Sequence, residues 1–225
     1  MNPFNGWQLP EGFSPEGWTA TAYGGGDGPS FQFLAPPPSG IQAVGSFLKA
    51  ERAGTLLGSP VDRVIGAVDR VARRLLAPED ALRAQALEAM GVFAGYSPPM
   101  ARVVLDGMAR GWVRESLERL VRSEFPDPAV LDGFSGKSRG SRTRALGFPL
   151  TFHLGAGTVP GVATTSMIRA LMVKSAVMLK PGRGDLPLPV LFARALGEED
   201  PDLAKCVAVL YWPAEGAEET EAALD

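Results

Sequence analysis

Residues 153–185 read HLGAGTVPGVATTSMIRALMVKSAVMLKPGRGD, and here residue types and spacing come closest to chemistry. Gly155, Ala156 and Gly157 follow an apolar run and precede a helix-like one. A strand that ends in a turn free of side chains lets backbone N–H groups and the next helix N-terminus approach a pyrophosphate. The spacing departs from the usual dinucleotide fingerprint, because Pro160 stands where a third Gly or Ala belongs and the next glycine is Gly161. A plain tight turn therefore competes with a nucleotide cradle.

Other reactive residues are few. Cys206 is the one cysteine, so no intramolecular disulfide can form. It opens the apolar run CVAVLYW, where a buried thiol is structural rather than nucleophilic. His153, the one histidine, ends an apolar run and reads as a packed ring with satisfied nitrogens rather than a general base. Together they leave no Cys/His cluster for a zinc site. Gly136-Lys137-Ser138 invites a phosphate-loop reading, but that motif requires a glycine where Leu131 stands. A mobile basic linker is the expectation there.

Several elements must position these residues. Residues 1–40, with YGGGDGPS and APPPSG, read as an extended Gly/Pro-rich leader that wraps the core through Trp7, Phe13, Trp18, Phe31 and Phe33. Residues 41–131 carry helical periodicity. SPVDRVIGAVDRVARRLL places Val61, Val64, Ile65, Val68, Val71, Ala72 and Leu75 on one face, with Ser59 as N-cap and Pro60 at the first helical position. SPPMARVVLDGMARGWVRESLERLVRSEF repeats the device as one long helix capped by Ser97, its arginines on a solvated face. A polar hinge, 132–144, follows. From 145 to 225 the rhythm is strand, helix, strand, helix, strand, which implies parallel strands with right-handed crossovers. The fold class is α/β: a helical N-terminal portion, then half of a doubly wound, Rossmann-like parallel sheet that reads as truncated.

Composition bounds the function. With 225 residues, of which 45% are hydrophobic and 21% charged, the chain can bury a substantial core. A net charge of -3 with scattered Lys and Arg argues against nucleic acid as a partner. The first residues lack a basic and apolar leader, and no window approaches a membrane span, so the expectation is a cytoplasmic protein.

The stretch from His153 through FARAL, with YSPPMARVVLDGMARGW before it and AVLYWP after it, resembles the acyl-CoA reductases of the bioluminescence fatty-acid reductase family, within the aldehyde dehydrogenase superfamily. The similarity covers roughly residues 90 to 215. The resemblance implies reduction of a fatty acyl thioester, carried by coenzyme A or by a protein, to an aldehyde with NADPH through a thioester on an enzyme cysteine. A thiolate attacks, an oxyanion site stabilises the tetrahedral intermediate, and hydride reduces the acyl-enzyme. The superfamily's oxyanion asparagine falls at Thr158, a shorter donor that can turn toward another acceptor, so an impaired oxyanion site is expected. Gly155, Ala156, Gly157, Lys180 and Pro181 fall at cofactor-binding positions, with Lys180 reaching the adenine ribose. Arg183 stands where NAD-preferring members often carry Glu. A guanidinium grips a phosphate through parallel N–H bonds, which favours NADP. The competing reading points Arg183 to water or pairs it with Asp185.

Family nucleophiles lie in a later domain, so Cys206 is not expected to be one. The chain reads as the N-terminal part of a larger reading frame, inactive alone and compatible with a homo-oligomer. The alternatives are a non-catalytic remnant or interaction subunit, and an unrelated α/β protein, which an antiparallel arrangement of residues 145–211 would favour.

Overall fold

The computed structural model describes residues 4–24, 30–136, 141–213 and 216–224. The leader is built as a small sheet. Strands β1 (Phe4–Asn5), β2 (Thr19–Gly24) and β3 (Ser30–Ala35) pair in the order β1-β3-β2. β3 buries Phe31 and Phe33, whose rings meet the Tyr211 ring edge-on at 5.0 and 5.6 Å. Trp7, Phe13 and Trp18 pack half-buried against the same core. Helix α1 (Pro38–Glu51) starts inside the stretch expected to be leader, because Pro38 pre-sets the φ of a first helical turn.

A π-helical turn, Arg52–Leu56, leads to α2 (Val61–Leu76). The apolar face of α2 is buried as its period requires, from Val64 to Leu75. Its cap differs from expectation. Pro60 holds the N-cap position, and the Ser59 hydroxyl donates back to the Thr55 carbonyl at 2.9 Å, since the preceding π turn presents that carbonyl. The free Val61 N–H is taken instead by the Asp132 carboxylate at 2.7 Å.

Helix α3 (Ala81–Ala94) follows, and the expected single long helix is two, α4 (Pro98–Trp112) and α5 (Arg114–Glu124). Ser97 occupies the cap position of α4 without a side-chain bond. The break lies at Val113, whose ψ of 154° is extended. Asp69 on α2 accepts the Arg114 N–H at 2.8 Å, which replaces the helical partner and starts α5 anew. The hinge is not a featureless linker: Ser135 and Thr143 exchange backbone hydrogen bonds of 2.9 and 2.7 Å. Lys137 and Ser138, the rest of the phosphate-loop candidate, lie outside the described residues.

The second half follows the expected alternation: β4 (Leu150–Leu154), α6 (Val162–Met172), β5 (Ala176–Lys180), α7 (Pro187–Glu199), a short α8 (Pro201–Ala204) and β6 (Val207–Val209). The strands are parallel in the order β4-β5-β6, as a βαβαβ unit requires. Period-2 alternation sends Thr151 and His153 toward α6, while Leu150 and Met178 approach Gly45 of α1 on the opposite face. The outer edge of β6 is bridged antiparallel by Gln8, and among the described residues the outer edge of β4 has no partner strand. Helix α9 (Ala217–Leu224) packs on α1. Among the described residues no helix is long and apolar enough to cross a membrane.

Candidate functional site

The site lies at the C-terminal ends of β4 and β5, where open parallel sheets bind ligands. Two loops meet there, the Gly-rich turn 155–161 and the segment 181–185. The Gly155 N–H donates to the Lys180 carbonyl at 2.8 Å. A Cβ on Gly155 would stand 3.2 Å from Pro181 Cα, and one on Gly157 would stand 3.0 Å from the Gly182 carbonyl carbon. A Cβ on Gly182 would in turn collide with the Gly157 backbone. The glycines are thus required by backbone-to-backbone packing of the two loops. Ala156 and Thr158 are exposed, and the Thr158 carbonyl accepts weakly from the Tyr96 hydroxyl at 3.5 Å.

The first turn of α6, which the sequence suggested as a seat for pyrophosphate, is filled. Gly161 takes φ +96°, and the Asp185 carboxyl accepts its N–H at 2.8 Å and that of Ala163 at 3.3 Å. Asp185 is fully buried, and burial raises it to about 7 against the pull of those two bonds. The sequence offers Asp185 only as a partner for Arg183. Its real partners lie on α6, and Arg183 is exposed at the tip of a 3-10 turn, Arg183–Asp185.

Lys180 is half-buried at the end of β5, its ammonium 5.7 Å from the centre of the Tyr211 ring and 5.4 Å from that of Trp212. Tyr211 and Trp212, adjacent aromatic residues shortly after β6 in AVLYWP, are a signal in the sequence that could have pointed to this wall. Pro181 is buried behind it.

His153 and Cys206 stand apart from this chemistry. Both imidazole nitrogens are engaged at 3.0 Å, Nδ1 with Ser166 and Nε2 with Thr151, and burial lowers the pKa. Cys206 is fully buried beside the Thr55 hydroxyl at 3.4 Å, with burial pushing its thiol up. It precedes β6, so it lies at the N-terminal end of the strands, opposite the end that carries Lys180 and about four residues of strand or roughly 13 Å away. Among the described residues no group of three or more His, Cys, Asp or Glu could hold a metal ion.

The positions that could hold a dinucleotide are therefore a cationic and aromatic wall, Lys180 with Tyr211 and Trp212, and the exposed Arg183. These suit a ribose and its phosphate. The end of α6 does not suit a pyrophosphate, because a buried carboxyl already satisfies its N–H groups.

Known proteins share this sequence and fold in part. The long-chain acyl-protein thioester reductase of Vibrio harveyi is 23% identical over 156 residues, 68% of this chain and 32% of that protein. The enzyme of the same name from Photobacterium phosphoreum is 25% identical over 128 residues, 53% of this chain and 25% of that one. The match thus spans a third or less of these relatives' length. Among solved structures, the methylmalonate-semialdehyde dehydrogenase DddC of Oceanimonas doudoroffii superposes with a TM-score of 0.69 at 14% identity, covering 98% of this chain and 43% of that one. A NAD-dependent benzaldehyde dehydrogenase from Corynebacterium glutamicum gives 0.65 at 17% identity, covering 95% and 44%. The fold is that of the aldehyde dehydrogenases. The acyl-CoA reductase (LuxC) family matches residues 57–224, and the chain belongs to that family.

Proposed function

We propose that this chain is the N-terminal part of an NADPH-dependent reductase that converts a fatty acyl thioester, on coenzyme A or a carrier protein, to the aldehyde, and that it is inactive alone. The residues divide between a helical portion, 41–131, and a partial NADPH-binding portion, 145–225, acting in the cytoplasm. The observation that carries this reading is the separation of the two chemistries: Lys180 and Arg183 flank the Gly-rich turn, while the one thiol is buried at the opposite, N-terminal end of the strands.

When bound, the cofactor supplies the hydride. Lys180 would hold the adenine ribose, with its stem against Trp212 and Tyr211. Arg183 would take the 2'-phosphate through two parallel N–H bonds, which a glutamate would instead repel. Gly155, Ala156 and Gly157 shape the turn, and Thr158 offers the hydroxyl at the oxyanion position. Losing an oxyanion donor costs about a hundredfold to a thousandfold in turnover, so Thr158→Asn should raise turnover in a complete reductase.

The test is titration of NADPH and NADH into the chain, with Arg183→Glu alongside, and an assay for aldehyde formed from acyl-CoA. The expected result is tighter NADPH binding, a preference that falls by about tenfold or more in Arg183→Glu, and no turnover. Equal affinities, or a ratio unmoved by the substitution, remove Arg183 from the site. Aldehyde formation abolished by Cys206→Ser would overturn the assignment of that cysteine.

A further inference from the structure

A buried carboxyl that none of these steps uses joins the two halves of the site. Asp185 reaches across 24 and 22 residues of sequence to the N–H groups of Gly161 and Ala163. Its own turn is anchored beside it, since the Asp185 N–H donates to the Gly182 carbonyl at 3.0 Å. Gly182 and Gly184 lie against the backbone of Gly157, so the loops touch along their length and are closed at one end by the carboxyl. Met108 presses on Gly161 from α4, 2.8 Å from where a Cβ would stand, which leaves the turn little room to settle elsewhere.

We propose that Asp185 is a positioning residue: its carboxyl clasps the turn that carries Thr158 to the loop that carries Lys180, Pro181 and Arg183, so that both sides of the site move as one piece. A hydroxyl or amide oxygen could serve both N–H groups only by bifurcation, whereas the two oxygens of a carboxyl take one each.

The clasp also responds to protons. Among the described residues no charged side chain contributes to the raised pKa of Asp185, which reflects burial opposed by two backbone N–H groups. The elements packed around it send their charges elsewhere. On α3, Arg83 goes to the Leu75 carbonyl and to Asp106 of α4. On α7, Arg194 goes to the carbonyls of Asn5 and Trp7, while Glu198 and Glu199 pair with Arg74 and Arg70 of α2. On α6 the basic residue is Arg169 in the last turn, and Arg183 on the carboxyl's own turn is exposed. Glu88 of α3 and Arg102 and Arg110 of α4 are exposed, and the Tyr96 hydroxyl between the two helices turns to Thr158. Opening the clasp takes the carboxyl into water, where it ionises near its ordinary value of 3.8 rather than about 7. A rise in pH between those values therefore favours the open form, and protonation holds it shut.

The clasp does not depend on which dinucleotide binds, so it is tested without ligand, by hydrogen exchange of the full chain from about pH 5 to about pH 8, corrected for intrinsic exchange. In the native chain, protection across residues 155–165 should fall several-fold as pH rises to about 7 and then level, by no more than about tenfold per pH unit. Asp185→Asn, which keeps an acceptor but cannot ionise, should show lower protection there that no longer follows pH, with α2 unchanged. Asp185→Ala should lose that protection at every pH. A pH profile in Asp185→Asn like that of the native chain would overturn the clasp. So would a loss spread equally over α2 and the sheet, which would make Asp185 a general stabiliser; if Asp185→Ala does not fold, Asp185→Asn decides alone.

Discussion

The Lys180 ammonium lies 5.4 Å from the centre of the Trp212 ring, and that ring stacks on Phe152 with an interplanar angle of 6°. The end of β5 is thereby tied to the segment after β6, and the ring belongs both to the core and to the site wall. The Trp212 indole N–H also donates to the Thr220 hydroxyl at 3.0 Å, which fastens α9.

The two partners should separate under mutation. Trp212→Ala removes a fully buried ring and should cost about 3–5 kcal/mol. Lys180→Met keeps the stem over the rings and should cost about 0.5–1 kcal/mol, the worth of an exposed cation–π contact. Denaturant unfolding monitored by circular dichroism checks both, and a larger loss for Lys180→Met would show that its charge supports the fold.

Glycines of the two touching loops should behave unlike helical glycines. Gly157→Ala would place a methyl 3.0 Å from the Gly182 carbonyl carbon and 3.1 Å from the Arg183 nitrogen, both backbone atoms that cannot rotate away. About 1–3 kcal/mol of destabilisation is expected. Gly107 sits inside α4, where a Cβ would meet no atom within 4 Å among the described residues outside its own helix backbone, so Gly107→Ala should gain up to about 1 kcal/mol. Thermal melts of the two variants should move in opposite directions.

His153 is the one histidine, so its ring titrates without overlap in a proton spectrum. Burial lowers its pKa from the ordinary 6.5. The unfolded chain then takes up the proton first as pH falls. Stability from this group is complete above 6.5 and is lost below it, by at most about 1.4 kcal/mol per pH unit. His153→Gln should remove that component from the stability profile, and an imidazole that titrates at or above 6.5 would contradict the burial argument.

Lys174 is fully buried with φ 65°, its ammonium 3.0 Å from the Asp132 carboxylate and donating to the Ser59 carbonyl. Asp132→Ala strips this ammonium of its counter-charge and frees the Val61 N–H, so it should cost about 3 kcal/mol. Lys174→Met leaves a carboxylate that is 40% exposed and can be hydrated, so its cost should be smaller. Urea midpoints rank the pair, and the reverse order would place the value of the contact in the lysine's packing.

The sequence by itself determined the alternation of strands and helices from Leu150 to Val209, the buried face of α2, and the family. Each depends on information carried within one element: period 2 or 3.6 in apolar residues, or a motif read along the chain. Burial of Cys206 and the engaged ring of His153 were legible for the same reason, since both sit in apolar runs. What the tertiary structure decided involves groups far apart in sequence. Helix α4 ends at Val113 because Asp69, on another helix, takes the Arg114 N–H. Ser59 fails as a cap because Asp132 serves Val61 instead. The Gly-rich turn looked open along the chain, yet Asp185 closes it from 24 residues away, and only the crossover through α6 and β5 brings that carboxyl to the N–H of Gly161. A hydrogen bond depends on distance and angle, and neither follows from the spacing of residue types until the helices and the sheet have packed.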